Sequence, residues 1–246
     1  MNDSFLPTPP DIAPAIPVAA PVCPPLPGEP PSLDDEPAIV GWWALLDALL
    51  KHPRRILAGA TRPASGGLIA RLLTLSLLGM AAYGLVVGLF AGDLQIAIVP
   101  LKLAGGLLAS ALICWPSLYI LLCLSGATQS AREVAGLFAA SLALLVVLMA
   151  GFAPVAWIFT QSTHSAGFMG TLHLLLWIVS ALFALNRLAQ GLATLNGRSM
   201  NALPVWCIVF LIVCLQMTTT LRPLLSPFAG WEFAPRAFFL HAWFSA

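Results

Sequence analysis

Charge is what this sequence has least of. Only 9% of its 246 residues are charged and 59% are hydrophobic, giving a mean hydropathy of +0.92. Soluble domains carry roughly 25% charged residues, so a water-facing globule is excluded. The formal net charge of +1 carries no message about acidic partners, and no nucleic-acid partner is expected. Walker loops, GxGxxG, HExxH and GxSxG are all missing. No cofactor, metal site or catalytic residue is therefore assigned. The five cysteines show no CxxC or His/Cys ligand spacing. Cys23 lies among prolines, and Cys114, Cys123, Cys207 and Cys214 lie in apolar runs, where they read as small buried hydrophobes.

Carboxylates are also missing from the apolar runs. Asp93, Glu133 and Glu232 belong to loops or ends. Proton- and sodium-coupled carriers generally rely on buried carboxylates, because an intramembrane charge is costly unless it works or is paired. No internal repeat is evident, which removes the easiest argument for an inverted-repeat transporter. The chain opens on MNDSFLPTPP rather than on a basic segment followed by an apolar one, so internal spans are expected to drive insertion.

What is present is apolar sequence in blocks. Five segments, near 68–91, 100–124, 134–159, 167–187 and 203–222, are each long enough to cross a hydrocarbon core. Lipid cannot satisfy bare backbone groups, so each must be a helix. The fold class expected is an all-α membrane protein, a bundle of five transmembrane helices occupying residues 63–229. Residues 1–38 are expected to be a disordered acidic tail. Twelve of the twenty-one prolines fall in 1–37, with Asp3, Asp11, Glu29, Asp34, Asp35 and Glu36 and no lysine or arginine. Pro21 and Pro24 have PxxP spacing without a basic flank, which suits a spacer better than a docking motif.

Residues 39–62 read as an N-terminal interfacial amphipathic helix. Trp42, Trp43, Leu45, Leu46, Leu49 and Leu50 recur at helical spacing over a stretch too short to span. The tryptophans would anchor it and Lys51, Arg54 and Arg55 would meet anionic lipid, unless the helix packs on the bundle itself. Residues 230–246, aromatic and broken by Pro235, are expected to lie in the opposite interface. With five spans, Lys51, Arg54, Arg55, Arg62, Arg71, Arg132, Arg187 and Arg198 fall on one side, and Lys102, Arg222 and Arg236 on the other. The positive-inside rule then makes the N-terminus cytoplasmic and the C-terminus external. The alanine- and leucine-rich composition suits a bacterial inner membrane.

Gly84, Gly88 and Gly92, four residues apart, form a groove for close helix packing, and Gly105/Ala109 and Gly106/Ser110 repeat the spacing. Pro116 predicts a kink, with Ser117 able to occupy a freed carbonyl; the bend is either fixed or a hinge. Polar groups concentrate near the outer leaflet. Gln216 and Thr219 share a face, Arg222 points elsewhere, and His173 lies near the outer end of the fourth span. These four are the candidate ligand or headgroup contacts; the competing reading is interhelical polar glue with an arginine anchor.

The segments KHPRRIL, PSLYILLCLSG and QMTTTLRP are together similar to a family of bacterial inner-membrane proteins without assigned function, more distantly resembling the Yip-type proteins. The similarity covers about residues 48–240. It implies a cytoplasmic N-terminal tail, five membrane helices and a non-catalytic role; the acidic-aromatic signature of Yip-type proteins is not evident here, so no trafficking role follows. The expected function is a non-enzymatic scaffold or accessory subunit of a membrane complex. It would make membrane or cytoplasmic protein contacts through residues 1–62 and could form a homo-oligomer in the lipid bilayer. The alternative is a permease or channel subunit for a small or anionic solute or lipid.

Overall fold

A computed structural model describes residues 36–62, 65–92, 94–163, 165–196 and 202–220. The proline-rich tail as far as residue 35, the C-terminal aromatic segment, His164, Arg198, Arg222 and Arg236 lie outside these residues. The described chain is helical throughout: α1 (Trp42–Lys51), α2 (Pro53–Thr61), α3 (Gly66–Ala91), α4 (Gln95–Leu124), α5 (Ala131–Ser162), α6 (Ala166–Asn196) and α7 (Leu203–Thr220). Four of them, α3 to α6, are long and apolar enough to cross a membrane. The fifth expected span is α7, which has 18 residues to the end of the described chain.

The stretch 39–62 is two helices rather than one. Proline disfavours helical backbone in the residue before it, and His52 has φ −123° and ψ 66°. Pro53 then opens α2 at a position where its missing N–H costs nothing. Leu45, Ala48 and Leu49 of α1, and Ile56, Leu57, Ala58 and Ala60 of α2, are buried. Both helices pack on α5, so the apolar face is turned to the bundle. Arg62 donates to the Glu36 carbonyl and Arg71 Nη1 to the Ile39 carbonyl at 3.1 Å, holding the segment that leads into α1.

The core centres on α5, where every residue from Gly136 to Val146 is buried. A helix enclosed on all sides needs apolar or small residues around its circumference, and GLFAASLALLV supplies them. A capping box starts it: Ser130 N–H donates to Glu133 Oε2 at 2.7 Å, and Glu133 N–H to Ser130 Oγ at 3.3 Å. α3 and α6 pack along α5, α4 packs on α3, and α7 packs on α4. An aromatic cluster also joins α7 to α5. Phe138 meets Trp206 and Phe210 edge-on, each at 5.7 Å, and the latter two stack at 5.6 Å.

Small residues set the closest approaches. In lipid the hydrophobic effect does not drive helices together, so dispersion contacts at short separation carry much of the association. A methyl group at Gly84 would sit 2.6 Å from Pro100 Cα, and one at Gly88 2.9 Å from the Gln95 carbonyl oxygen. These two glycines form the expected groove. Gly92 does not belong to it. It caps α3 with φ 73° and has open space around it, so its role is the left-handed turn. Further along, Gly106 and Ser110 are buried while Gly105 is open. Gly79 against Val146, Gly136 against Ala60 and Gly191 against Leu137 are further close contacts.

Candidate functional site

The expected polar cluster is rearranged. His173, on α6, meets Tyr83 of α3: Tyr83 Oη and His173 Nδ1 lie 2.7 Å apart in one hydrogen bond. The rings cross at 89° with centroids 5.6 Å apart. Tyr83 is 2% exposed and His173 half-buried, so the bond is buried on its tyrosine side. The His173 Nε2 is buried without a hydrogen-bond partner among the described residues. Gln216 is half-buried on α7, whose principal neighbour is α4, whereas α6 packs mainly on α5. Around Gln216 the threonines bond their own helix: Thr218 Oγ1 donates to the Leu215 carbonyl at 2.7 Å and Thr220 Oγ1 to the Gln216 carbonyl at 3.0 Å. Arg222 and the Thr219 side chain lie outside what the structure describes.

The stretch of α4 around Pro116, where a bend is expected, is tied into the bundle. Pro116 leaves the Leu112 carbonyl without its helical donor. Ser117 Oγ, however, donates to the Cys114 carbonyl at 2.7 Å and accepts from Trp206 Nε1 at 3.0 Å. This part of α4 therefore sits against the aromatic cluster of α7. Trp206 is a participant that sequence reading missed; a tryptophan three residues into an apolar helix carries no mark of which helix it will meet.

At the end of the bundle where α5 begins and α6 finishes, a cleft of about 170 Å³ opens between α1–α2 and the α5/α6 pair. Arg54 and Arg187 line it over a floor that includes Leu57, Leu137 and Leu144, and none of the described residues lining it is acidic. Ser141 lines it too, but its hydroxyl donates to the Phe138 carbonyl at 2.7 Å, leaving that wall apolar. Arg187 lies 5.3 Å above the Phe183 ring and 3.5 Å from Gln190 Oε1. With the exception of Lys102, the lysines and arginines of the described residues gather at this end.

On α1, Asp47 accepts from Lys51 Nζ at 3.1 Å and lies 3.6 Å from His52 Nε2. The hydrogen bond from Lys51 holds the Asp47 carboxyl below the usual carboxylate range. Among the described residues no three His, Cys, Asp or Glu side chains gather as a metal site.

Four membrane-length apolar helices, with α5 the central one among them, make the described chain all-helical and define a multi-pass membrane protein. Comparison with protein-family models, curated proteins and solved structures finds no match to the chain.

Proposed function

We propose that the protein is a non-enzymatic scaffold or accessory subunit of a complex in a bacterial inner membrane, with five spans, a cytoplasmic N-terminus and an external C-terminus. The observation that carries this reading is the clamp at Pro116. A proline-bent helix in a moving transporter needs freedom at the bend, whereas Ser117 is bonded to Trp206, which is itself wedged between Phe138 and Phe210. The contacts of Gly84 and Gly88 with the α4 backbone favour the same static bundle. An 18-residue α7 of about 27 Å supports a fifth crossing, and the basic end of the bundle supports the orientation. Trp43, 85% exposed beside the buried face of α1, is suited to meeting a partner or the headgroups.

Crosslinking in native membranes followed by affinity purification tests the proposal: a stoichiometric partner is expected, and its absence counts against a scaffold. The second reading, a permease or channel subunit, is favoured by the buried, unpartnered Nε2 of half-buried His173. It predicts that His173→Ala abolishes a solute flux while the protein accumulates normally. The scaffold reading predicts lowered abundance or assembly with no flux changed. Reporter fusions test the topology, and a cytoplasmic C-terminus would overturn five spans.

A further inference from the structure

We propose that the outward flank of α1, which carries Trp42, Trp43, Leu46 and Leu50, lies in the bilayer interface and is covered by lipid rather than by a protein. At about 100° of turn per residue, α1 has three flanks roughly 120° apart. Leu45, Ala48 and Leu49 make the first, which is buried against the bundle. Asp47 and Lys51 make the second; they are paired at 3.1 Å and both substantially exposed. Trp42, Leu46, Leu50 and Trp43 make the third, with Trp43 85% exposed and Leu50 48%. A helix with one packed, one charged and one apolar flank fits the place where protein, water and lipid meet.

The level at which α1 is held selects lipid as the occupant. Its lead-in is tied to α3, where Arg71 Nη1 donates to the Ile39 carbonyl at 3.1 Å. Its far end is beside α6, because Leu49 borders the same cleft as Arg187 and Leu188. α1 therefore runs across α5 from the level of Arg71 to that of Arg187. At those two levels the exposed apolar surface of this side of the bundle ends. On α3 the first exposed large apolar side chain beyond Arg71 is Leu78, and on α6 the last before Arg187 is Phe183. Arg187 lies about 31 Å along α6 from Ala166, close to the thickness of a hydrocarbon core. Arginine heads and tryptophan rings both settle at such a boundary, the rings because their body is apolar and their N–H polar. The apolar flank of α1 continues the lipid-facing belt of α3 and α6 at its edge.

α2 does not share this role. Ile56 and Leu57 are buried, and no large apolar side chain of α2 is exposed among the described residues. The break at His52–Pro53 separates the two helices, so that α2 packs while α1 keeps its third flank outward. Insertion comes from aromatic and aliphatic area on α1, and the Lys51 charge beside it is balanced by Asp47. Lipid cover on α1 is independent of the scaffold reading, since a protein partner would then be held elsewhere on the molecule.

The test uses the full-length protein with the photocrosslinker p-benzoylphenylalanine placed in turn at Trp43, Leu50, Lys51 and Leu78. Each variant is irradiated in native membranes and in nanodiscs of phosphatidylethanolamine and phosphatidylglycerol, and adducts are read by mass spectrometry of the intact protein. The probes at Trp43 and Leu50 are expected to gain the mass of one phospholipid, as the probe at Leu78 does. The probe at Lys51, on the charged flank, should gain about tenfold less. A crosslink from Trp43 and Leu50 to another protein or to a second copy of this chain in native membranes would overturn the proposal. So would a lipid yield at those two positions no higher than at Lys51. A second measurement needs no crosslink. In nanodiscs holding one copy of the protein, Trp43→Ser with Leu50→Ser leaves the buried flank of α1 intact, and amide exchange in α1 should rise severalfold while that of α5 stays the same. Unchanged exchange in α1 would mean that lipid does not cover this flank.

Discussion

The Tyr83 hydroxyl and His173 Nδ1, on helices that are not sequence neighbours, are joined by a 2.7 Å hydrogen bond inside a bundle that packs mainly by shape. Each helix keeps its hydroxyl groups largely to itself: Ser76, Thr160, Thr171 and Ser180 all donate to carbonyls one turn back. The Tyr83–His173 bond instead fixes the register of α3 against α6. Its value is limited, because the separated helices in lipid would find other partners; interhelical bonds in membranes contribute about 0.6 kcal/mol on average.

Tyr83→Phe therefore leaves Nδ1 buried without its partner and should destabilise the protein by about 1–2 kcal/mol. His173→Phe removes the polar group itself, so the double substitution should cost less than the sum. A double-mutant cycle by unfolding in detergent should give a coupling of about 0.5–1.5 kcal/mol. Strict additivity would mean that the two side chains do not support each other.

The glycines offer a graded series. Gly84→Ala drives a methyl group into the Pro100 backbone and Gly88→Ala into the Gln95 backbone, where nothing flexible can yield. Each should cost about 1–3 kcal/mol through forced separation of α3 and α4. Gly79→Ala meets only a methyl of the Val146 side chain and should cost less. Gly105→Ala faces open space and should be neutral or slightly stabilising, since alanine is the better helix former. Thermal unfolding of the four variants gives the order, and a Gly105 variant as unstable as Gly84→Ala would refute this packing.

The membrane helices were legible because a crossing needs a long apolar run, and hydropathy reports that directly. Their ends were less so. α5 begins at Ala131, ahead of the apolar onset, because polar residues extend a helix beyond the hydrocarbon, whereas α4 begins at Gln95 and takes in the apolar residues 96–99 that lie ahead of the expected span. The break at His52–Pro53 was written in the sequence, as proline restricts the residue before it, but the helical spacing of leucines across it masked the signal. Gly92 shared the spacing of Gly84 and Gly88 yet falls past the helix end, so spacing alone could not assign it. Pairings were the least legible. Tyr83 with His173 and Ser117 with Trp206 depend on how far one helix slides along another, which no single helix encodes.

Acid should act first on α1. The hydrogen bond from Lys51 lowers the Asp47 carboxyl below its ordinary 3.8, so the unfolded segment binds this proton more readily than the folded one. Its stabilising contribution is present above that ordinary value and is lost as the pH falls through the lower, folded one. Amide exchange in the last turn of α1, followed between pH 5 and pH 2 with intrinsic rates divided out, should lose protection below pH 3.8. Asp47→Asn should remove that step. The effect is small, as both partners are substantially exposed.

The clamp at Pro116 yields the sharpest separation between a fixed bend and a hinge. Trp206→Phe keeps an aromatic ring between Phe138 and Phe210 but deletes the indole N–H that Ser117 Oγ accepts from. Ser117 then retains its bond to the Cys114 carbonyl, so the local helix should survive while its tie to α7 is lost. Stability should fall by about 1 kcal/mol. Amide exchange should rise over residues 112–120 and in the first half of α7, and leave the α3–α5 contact untouched. Ser117→Ala should reproduce the effect, and combining the two should add little, because both remove the same bond. Should exchange across the bend already be fast in the unaltered protein, and unchanged by Trp206→Phe, the bend is free to move and the static reading of the bundle fails.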